Sequence, residues 1–194
     1  MPLINALPYE LSWQREPLSW SLEPLTLMAA AKTDLFVSPE GQAPVLNAPA
    51  LLFEAPAEFM LSCQVQVDFR ATFDAGVLFL YQSETSWAKL CFEYSPQQDP
   101  MIVSVVTKGS SDDCNSLFIK GQTTYLRVSG LGKAFAFHHS LDGKYWHFIR
   151  TFALGSGPVR AGFVAQSPMG EGCEVQFSDI VFKEARLSDL RSGV

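Results

Sequence analysis

The chain has 194 residues, 47% of them hydrophobic and 18% charged, enough for one large core and too apolar for a disordered segment. Its 20 acidic and 14 basic side chains give a formal net charge of -6 with no Lys/Arg cluster, which excludes the basic surface on which nucleic-acid binding depends. No apolar run reaches the roughly 18 residues of a membrane span, and Met1 to Trp13 lacks the basic and apolar stretches of a secretory leader.

These features predict a single cytoplasmic domain over residues 1–194, with neither nucleic acid nor membrane as partner. The cysteines, Cys63, Cys91, Cys114 and Cys173, are far apart and show no CxxC or Cys/His zinc spacing. They read as free thiols in a reducing compartment, and a core of this size needs no disulfide staples.

Along the chain the prevailing period is two. Leu25–Ala29 and Leu51–Phe53 are short strand candidates separated by a loop holding Pro39, Pro44 and Pro49. From Phe59 to Phe69 the residues Phe59, Leu61, Cys63, Val65, Val67 and Phe69 share one side and Ser62, Gln64, Gln66 and Asp68 the other, the pattern of a half-buried antiparallel strand. Val77–Tyr81 is apolar on both parities, as in a central strand covered on each side. Trp87–Tyr94 alternates again, Met101–Thr107 and Leu117–Ile119 follow, and Tyr125–Ser129 ends at Gly130 and Gly132.

Phe135 to Phe152 reads as two strands joined at Asp142-Gly143, a strong turn signal because both residues tolerate positive φ. Val159–Ala165 and Val175–Phe182 complete the series. About a dozen short strands, with no helix-period stretch and no repeat of roughly 40 to 50 residues, predict an all-β antiparallel two-sheet sandwich of the jelly-roll kind. Phe59, Leu61, Val65, Val67, Leu90, Phe92, Phe163 and Phe177 should lie between its sheets, and Gln64 and Gln66 should not.

Several short motifs occur in a telling order: Thr33-Asp34-Leu35-Phe36, Trp87-Ala88-Lys89 leading to Glu93, Ser104-Val105-Val106-Thr107 with Ser111-Asp112, Ser140-Leu141-Asp142-Gly143-Lys144-Tyr145-Trp146 with Arg150, and Ser167-Pro168. In these the chain resembles the "regulation of enolase" domain family of the concanavalin-A-like lectin/glucanase superfamily. The resemblance implies a jelly roll closed by Phe177–Phe182, and it implies no reaction. Asp113-Cys114 stands where the family often has an aromatic residue, which removes a stacking group there.

Trp87, Lys89 and Glu93 share one side of their strand, and Trp146 and Arg150 share one side of theirs. If both strands belong to one sheet, an aromatic and charged patch results that could stack a sugar ring and bond its hydroxyls. Alternatively Lys89, Glu93 and Arg150 form a structural ion-pair network under tryptophans that cap the sheet. Asp34 and Asp112 join these as candidate ligand-binding residues.

His138 and His139 point to opposite faces, so they cannot chelate one metal together, although His147 could face one of them. The run Ser110–Asn115 offers oxygen ligands that calcium accepts, or a turn bonding its own backbone. The Glu-x-Asp-x-x-Glu run of retaining glucanases, the Gly-x-Ser-x-Gly elbow, and phosphate-loop and dinucleotide fingerprints are absent, and no cofactor or metal is expected. The reading is a non-catalytic binding domain for a carbohydrate or sugar-like metabolite. The alternatives are a carbohydrate-active enzyme using Glu93, Asp34, Asp112 and a His, or a protein that regulates a metabolic enzyme.

Overall fold

A computed structural model describes residues 2–194, and among them every regular element is a strand. In chain order these are β1 (Ser12–Arg15), β2 (Trp20–Leu22), β3 (Leu25–Met28), β4 (Leu35–Phe36), β5 (Val45–Leu46), β6 (Ala50–Ala55), β7 (Glu58–Val67) and β8 (Ala75–Ser83). They continue as β9 (Ser86–Tyr94), β10 (Pro100–Lys108), β11 (Ser110–Phe118), β12 (Thr123–Leu131), β13 (Phe135–Ser140), β14 (His147–Phe152), β15 (Val159–Gln166) and β16 (Glu174–Lys183).

Alternation does the sorting. In β7, Phe59, Leu61, Cys63, Val65 and Val67 are buried while Gln64 and Gln66 face outward, so one face needs a second sheet to cover it. That cover is supplied by two seven-stranded antiparallel sheets, ordered β1-β6-β15-β8-β9-β10-β11 and β14-β13-β12-β7-β16-β3-β2. The result is the expected jelly-roll sandwich. All eight predicted core residues belong to the cluster between the sheets.

The first sheet is covered on its other face as well. Leu35, Ala48, Leu52, Val77, Phe79, Trp87, Cys91, Val103 and Val105 form a second apolar cluster, roofed by the β4–β5 hairpin through Leu35 and Leu46. This is why β8 is apolar on both parities: Leu78 and Leu80 point between the sheets, Val77 and Phe79 under the roof. Gly76 has no room for a side chain, since a Cβ there would come within 2.4 Å of Val65 Cγ1 and 2.6 Å of Val175 Cγ1 on the facing sheet.

Two loop expectations are corrected. Ser110–Asn115 is neither a turn nor a calcium loop but most of β11, an edge strand paired with β10 through Asp113↔Val105 and Asp112↔Val106; polar side chains there blunt the exposed edge. Asp142-Gly143 is part of the longer connection 141–146 between β13 and β14. In it the Asp142 carboxylate accepts the Lys144 and Tyr145 N–H groups, and only Gly143 takes a positive φ, 71°.

Candidate functional site

The proposed patch of two tryptophans does not form. β9 carries Trp87 in the first sheet, whereas Trp146 lies just before β14 at the edge of the second. Trp87 is 1% exposed and packs on Phe79 beneath the β4–β5 roof. Trp146 stacks under the Arg127 guanidinium, 4.2 Å from ring centre to Cζ. The expected parity of Trp146 and Arg150 also fails, because a bulge between Phe137 and His138 shifts the β13–β14 register.

Arg150 reaches Asp112, not Glu93. Its Nη2 lies 3.1 Å from Asp112 Oδ2, with side-chain exposures of 24% and 72%, so this ion pair ties the edge of one sheet to the edge of the other. His138 and His139 sit on β13 of the second sheet, whereas Glu93 sits on β9 of the first. His139 stacks on His147 at 5.4 Å, and burial pushes it down to about 4.

Three of the expected residues do come together, on the outer face of the first sheet. Asp34, Lys89 and Glu93 line a cavity of about 180 Å³ together with Phe36, Phe73, Val103, Val105, Asp113 and Gln166. Its floor is β9, where Lys89 and Glu93 flank Cys91 on one parity, and β10, which contributes Val103 and Val105.

The wall bearing Asp34 is fixed by the chain around it. Ser167 N donates to Thr33 Oγ1, and Ser167 Oγ donates to the fully buried Asp74 at 2.6 Å. Asp34 N donates to Asn47 Oδ1, and the Asn47 and Ala48 amides donate to Asp34 O. Asp34 Oδ1 is thereby aimed at Lys89 Nζ, 3.1 Å away, and Gln166 Oε1 accepts from the same ammonium at 3.0 Å.

Beside Gln166, whose Nε2 donates to Phe73 O at 3.4 Å, the chain holds Phe73 in the left-handed region at φ 69°, a strained conformation for a bulky residue. Asp74 stabilises that corner: its Oδ2 accepts the Arg70 and Ala71 amides, and Phe73 N donates to Tyr94 O. The Phe73 ring remains partly exposed at the mouth of the cavity, at 37%.

Electrostatically the cavity holds one committed cation and a surplus of acid. Burial disfavours the Lys89 ammonium, but the nearby Asp34 and Glu93 carboxylates outweigh burial and hold its pKa above the ordinary value. Glu93 is pushed up to about 7, mainly by burial and further by Asp34 and Asp113, with Lys89 opposing. Among the described residues no hydrogen bond contributes to that balance, so the Glu93 carboxyl faces the cavity without a protein partner.

Phe36, Phe73, Gln166 and Asp113 were not singled out as site residues from the sequence. For Asp113 the signal was present: opposite Val105 it shares the face that carries Lys89, whereas its neighbour Asp112 points away toward Arg150. Gln166 and Phe73 arrive from distant segments and left no local pattern.

Among solved structures, a functionally unknown protein from Saccharomyces cerevisiae superposes with a TM-score of 0.83 at 24% identity, over 92% of this chain and 97% of that one. The GH43 protein BlXynB from Bacillus licheniformis superposes over 90% of this chain at TM-score 0.72 and 17% identity, but this chain spans only 36% of it. The alginate lyase from Klebsiella pneumoniae matches at TM-score 0.53 and 12% identity, over 88% of this chain and 85% of that one. These likenesses show the fold alone. No curated protein matches the sequence. The family profile described as "Protein of unknown function (DUF1349)" matches residues 13–185, with no "regulation of enolase" designation, and the chain belongs to that family.

Proposed function

We propose that the chain is a non-catalytic binding domain that takes a carbohydrate or sugar-like metabolite in the cavity between Asp34, Lys89, Glu93 and Gln166. The observation that carries this reading is Glu93, a carboxyl only 9% exposed and facing a cavity without a protein partner. A carboxyl with no protein donor, set in a cavity that keeps most of it from bulk water, is open to a ligand hydroxyl or other donor in place of cavity water. The setting fits: two phenylalanine rings and two valines supply apolar walls, and a few fixed polar groups supply orientation. At about 180 Å³ the cavity lies below the roughly 300–1,000 Å³ of drug-sized pockets, which suits one sugar unit better than an oligomer. The sandwich shared with GH43 proteins lends support by analogy only.

One observation favours a hydrolytic alternative. A carboxyl poised at about 7 beside other carboxylates has the pKa expected of a general acid or base. The test is a thermal-shift screen of monosaccharides on the wild type and on Phe73→Asn, which keeps a residue tolerant of positive φ while removing the ring. Stabilisation by a sugar that disappears in the variant, with the free protein still folded, supports the binding reading; no stabilisation by any sugar overturns it. Release of product from aryl glycosides, lost in Glu93→Gln, would move the chain to the enzyme class.

A further inference from the structure

The charge inventory of the cavity narrows the ligand. Asp34, Glu93 and Asp113 contribute three carboxyl groups against the single ammonium of Lys89. That ammonium is already engaged, since Asp34 Oδ1 and Gln166 Oε1 accept from it at 3.1 and 3.0 Å and its side chain is 3% exposed. A ligand carboxylate or phosphate would therefore meet a surplus of negative charge with no free cation to receive it. A neutral hydroxyl could bond Glu93 but would leave the excess charge in place.

A metal ion fits poorly, because among the described residues no three His, Cys, Asp or Glu side chains converge closely enough to hold one. The acids share the cavity lining with Phe36 and Phe73, aromatic side chains of the kind whose ring faces attract organic cations. We propose that the ligand of this cavity is an amino sugar, its ammonium bonded to Glu93 in the field of Asp113 and its carbon skeleton set against Phe36 and Phe73. This rests on the reading of the cavity as a carbohydrate site. An ammonium supplies the N–H donors that Glu93 lacks and in the same step offsets one of the excess negative charges.

The groups facing Glu93 set the pH behaviour. Lys89 on its own strand, Asp34 before β4 and Asp113 on β11 act on it, and with them its carboxyl ionises near 7. A ligand ammonium favours the ionised form, so binding should strengthen as pH rises from 6 to 7.5.

The experiment is calorimetric titration with three pyranosides that differ only at C6: methyl 6-amino-6-deoxyglucoside, methyl glucoside and methyl glucuronide, with glucosamine as a second amine. The expected order is amine over hydroxyl by about tenfold, with the carboxylate weakest and the amine alone gaining affinity between pH 6 and 7.5. Glu93→Gln and Asp113→Asn should bring the amine toward the affinity of the neutral sugar, whereas Asp112→Asn, on the opposite face of β11, should not. Equal affinity for amine and hydroxyl, or tightest binding by the glucuronide, overturns the ammonium assignment while leaving a sugar site standing. Failure of every sugar to bind, or binding indifferent to Glu93, overturns both.

Discussion

Replacing Glu93 by Gln should stabilise the protein, increasingly so as pH rises above about 4.5. The Glu93 carboxyl is raised from 4.5 to about 7, chiefly by burial. Between those values the folded chain keeps a proton that the unfolded chain has released, so stability falls as pH rises. Each pH unit in that window removes about 1.4 kcal/mol. The accumulated loss is about 3 kcal/mol by pH 8, and none of it is present below 4.5. Glutamine keeps the shape and cannot ionise. Wild type and variant should therefore have similar stabilities at about pH 4, and by pH 8 the variant should be ahead by about 3 kcal/mol.

Urea denaturation at the two pH values reads this directly, because every other titrating group is common to both proteins. With a urea m-value of about 3 kcal/mol/M, the midpoints should separate by about 1 M at pH 8. Equal midpoints at pH 8, or a variant weaker at both pH values, would show that the ionised carboxylate is compensated in the fold and that the cavity does not carry an unmet charge.

Trp87→Ala should cost about 3–5 kcal/mol in the same assay, since Trp87 is 1% exposed within the second apolar cluster; a loss below about 1 kcal/mol would return it to the surface. Arg150→Ala should cost less than about 1 kcal/mol, because its partner Asp112 is 72% exposed; a penalty of several kcal/mol would mean that Arg150 supports the core. A thiol reagent should modify only Cys114 in the native protein and all four cysteines after denaturation, as Cys63, Cys91 and Cys173 are buried; a second fast-reacting thiol would place one of those three at the surface.

The sandwich was legible because burial of one face imposes a period of two, and eleven consecutive residues from Phe59 to Phe69 keep it. The strands that escaped are those whose burial is not periodic. β1 and β2 are mostly exposed, so their sequences carry little alternation. β4 and β5 have two residues each, too few to show a period. β11 is the instructive miss: Ser110 to Asn115 reads as a polar loop, and its pairing with β10 comes from the neighbouring strand's backbone, not from apolar side chains of its own.

The site was half legible for a related reason. Alternation tells which residues share a face but not what that face meets. Trp87, Lys89 and Glu93 do lie on one side of β9, yet beneath the β4–β5 hairpin Trp87 lines a separate cavity of about 230 Å³ with Leu35, Leu46 and Phe79, while Lys89 and Glu93 line the one that Asp34 borders. The roof decides which of the two cavities each residue meets, and it is built from Leu35 and Leu46, more than forty positions earlier in the chain. Asp112 and Asp113 show the same limit at single-residue scale. Both are acids in one edge strand, but successive side chains point to opposite faces, so one closes a salt bridge to Arg150 and the other lines the cavity. Only the pairing of Asp113 with Val105, itself opposite Lys89, separates them. The paired substitutions at 112 and 113 therefore test the register and the ligand chemistry together.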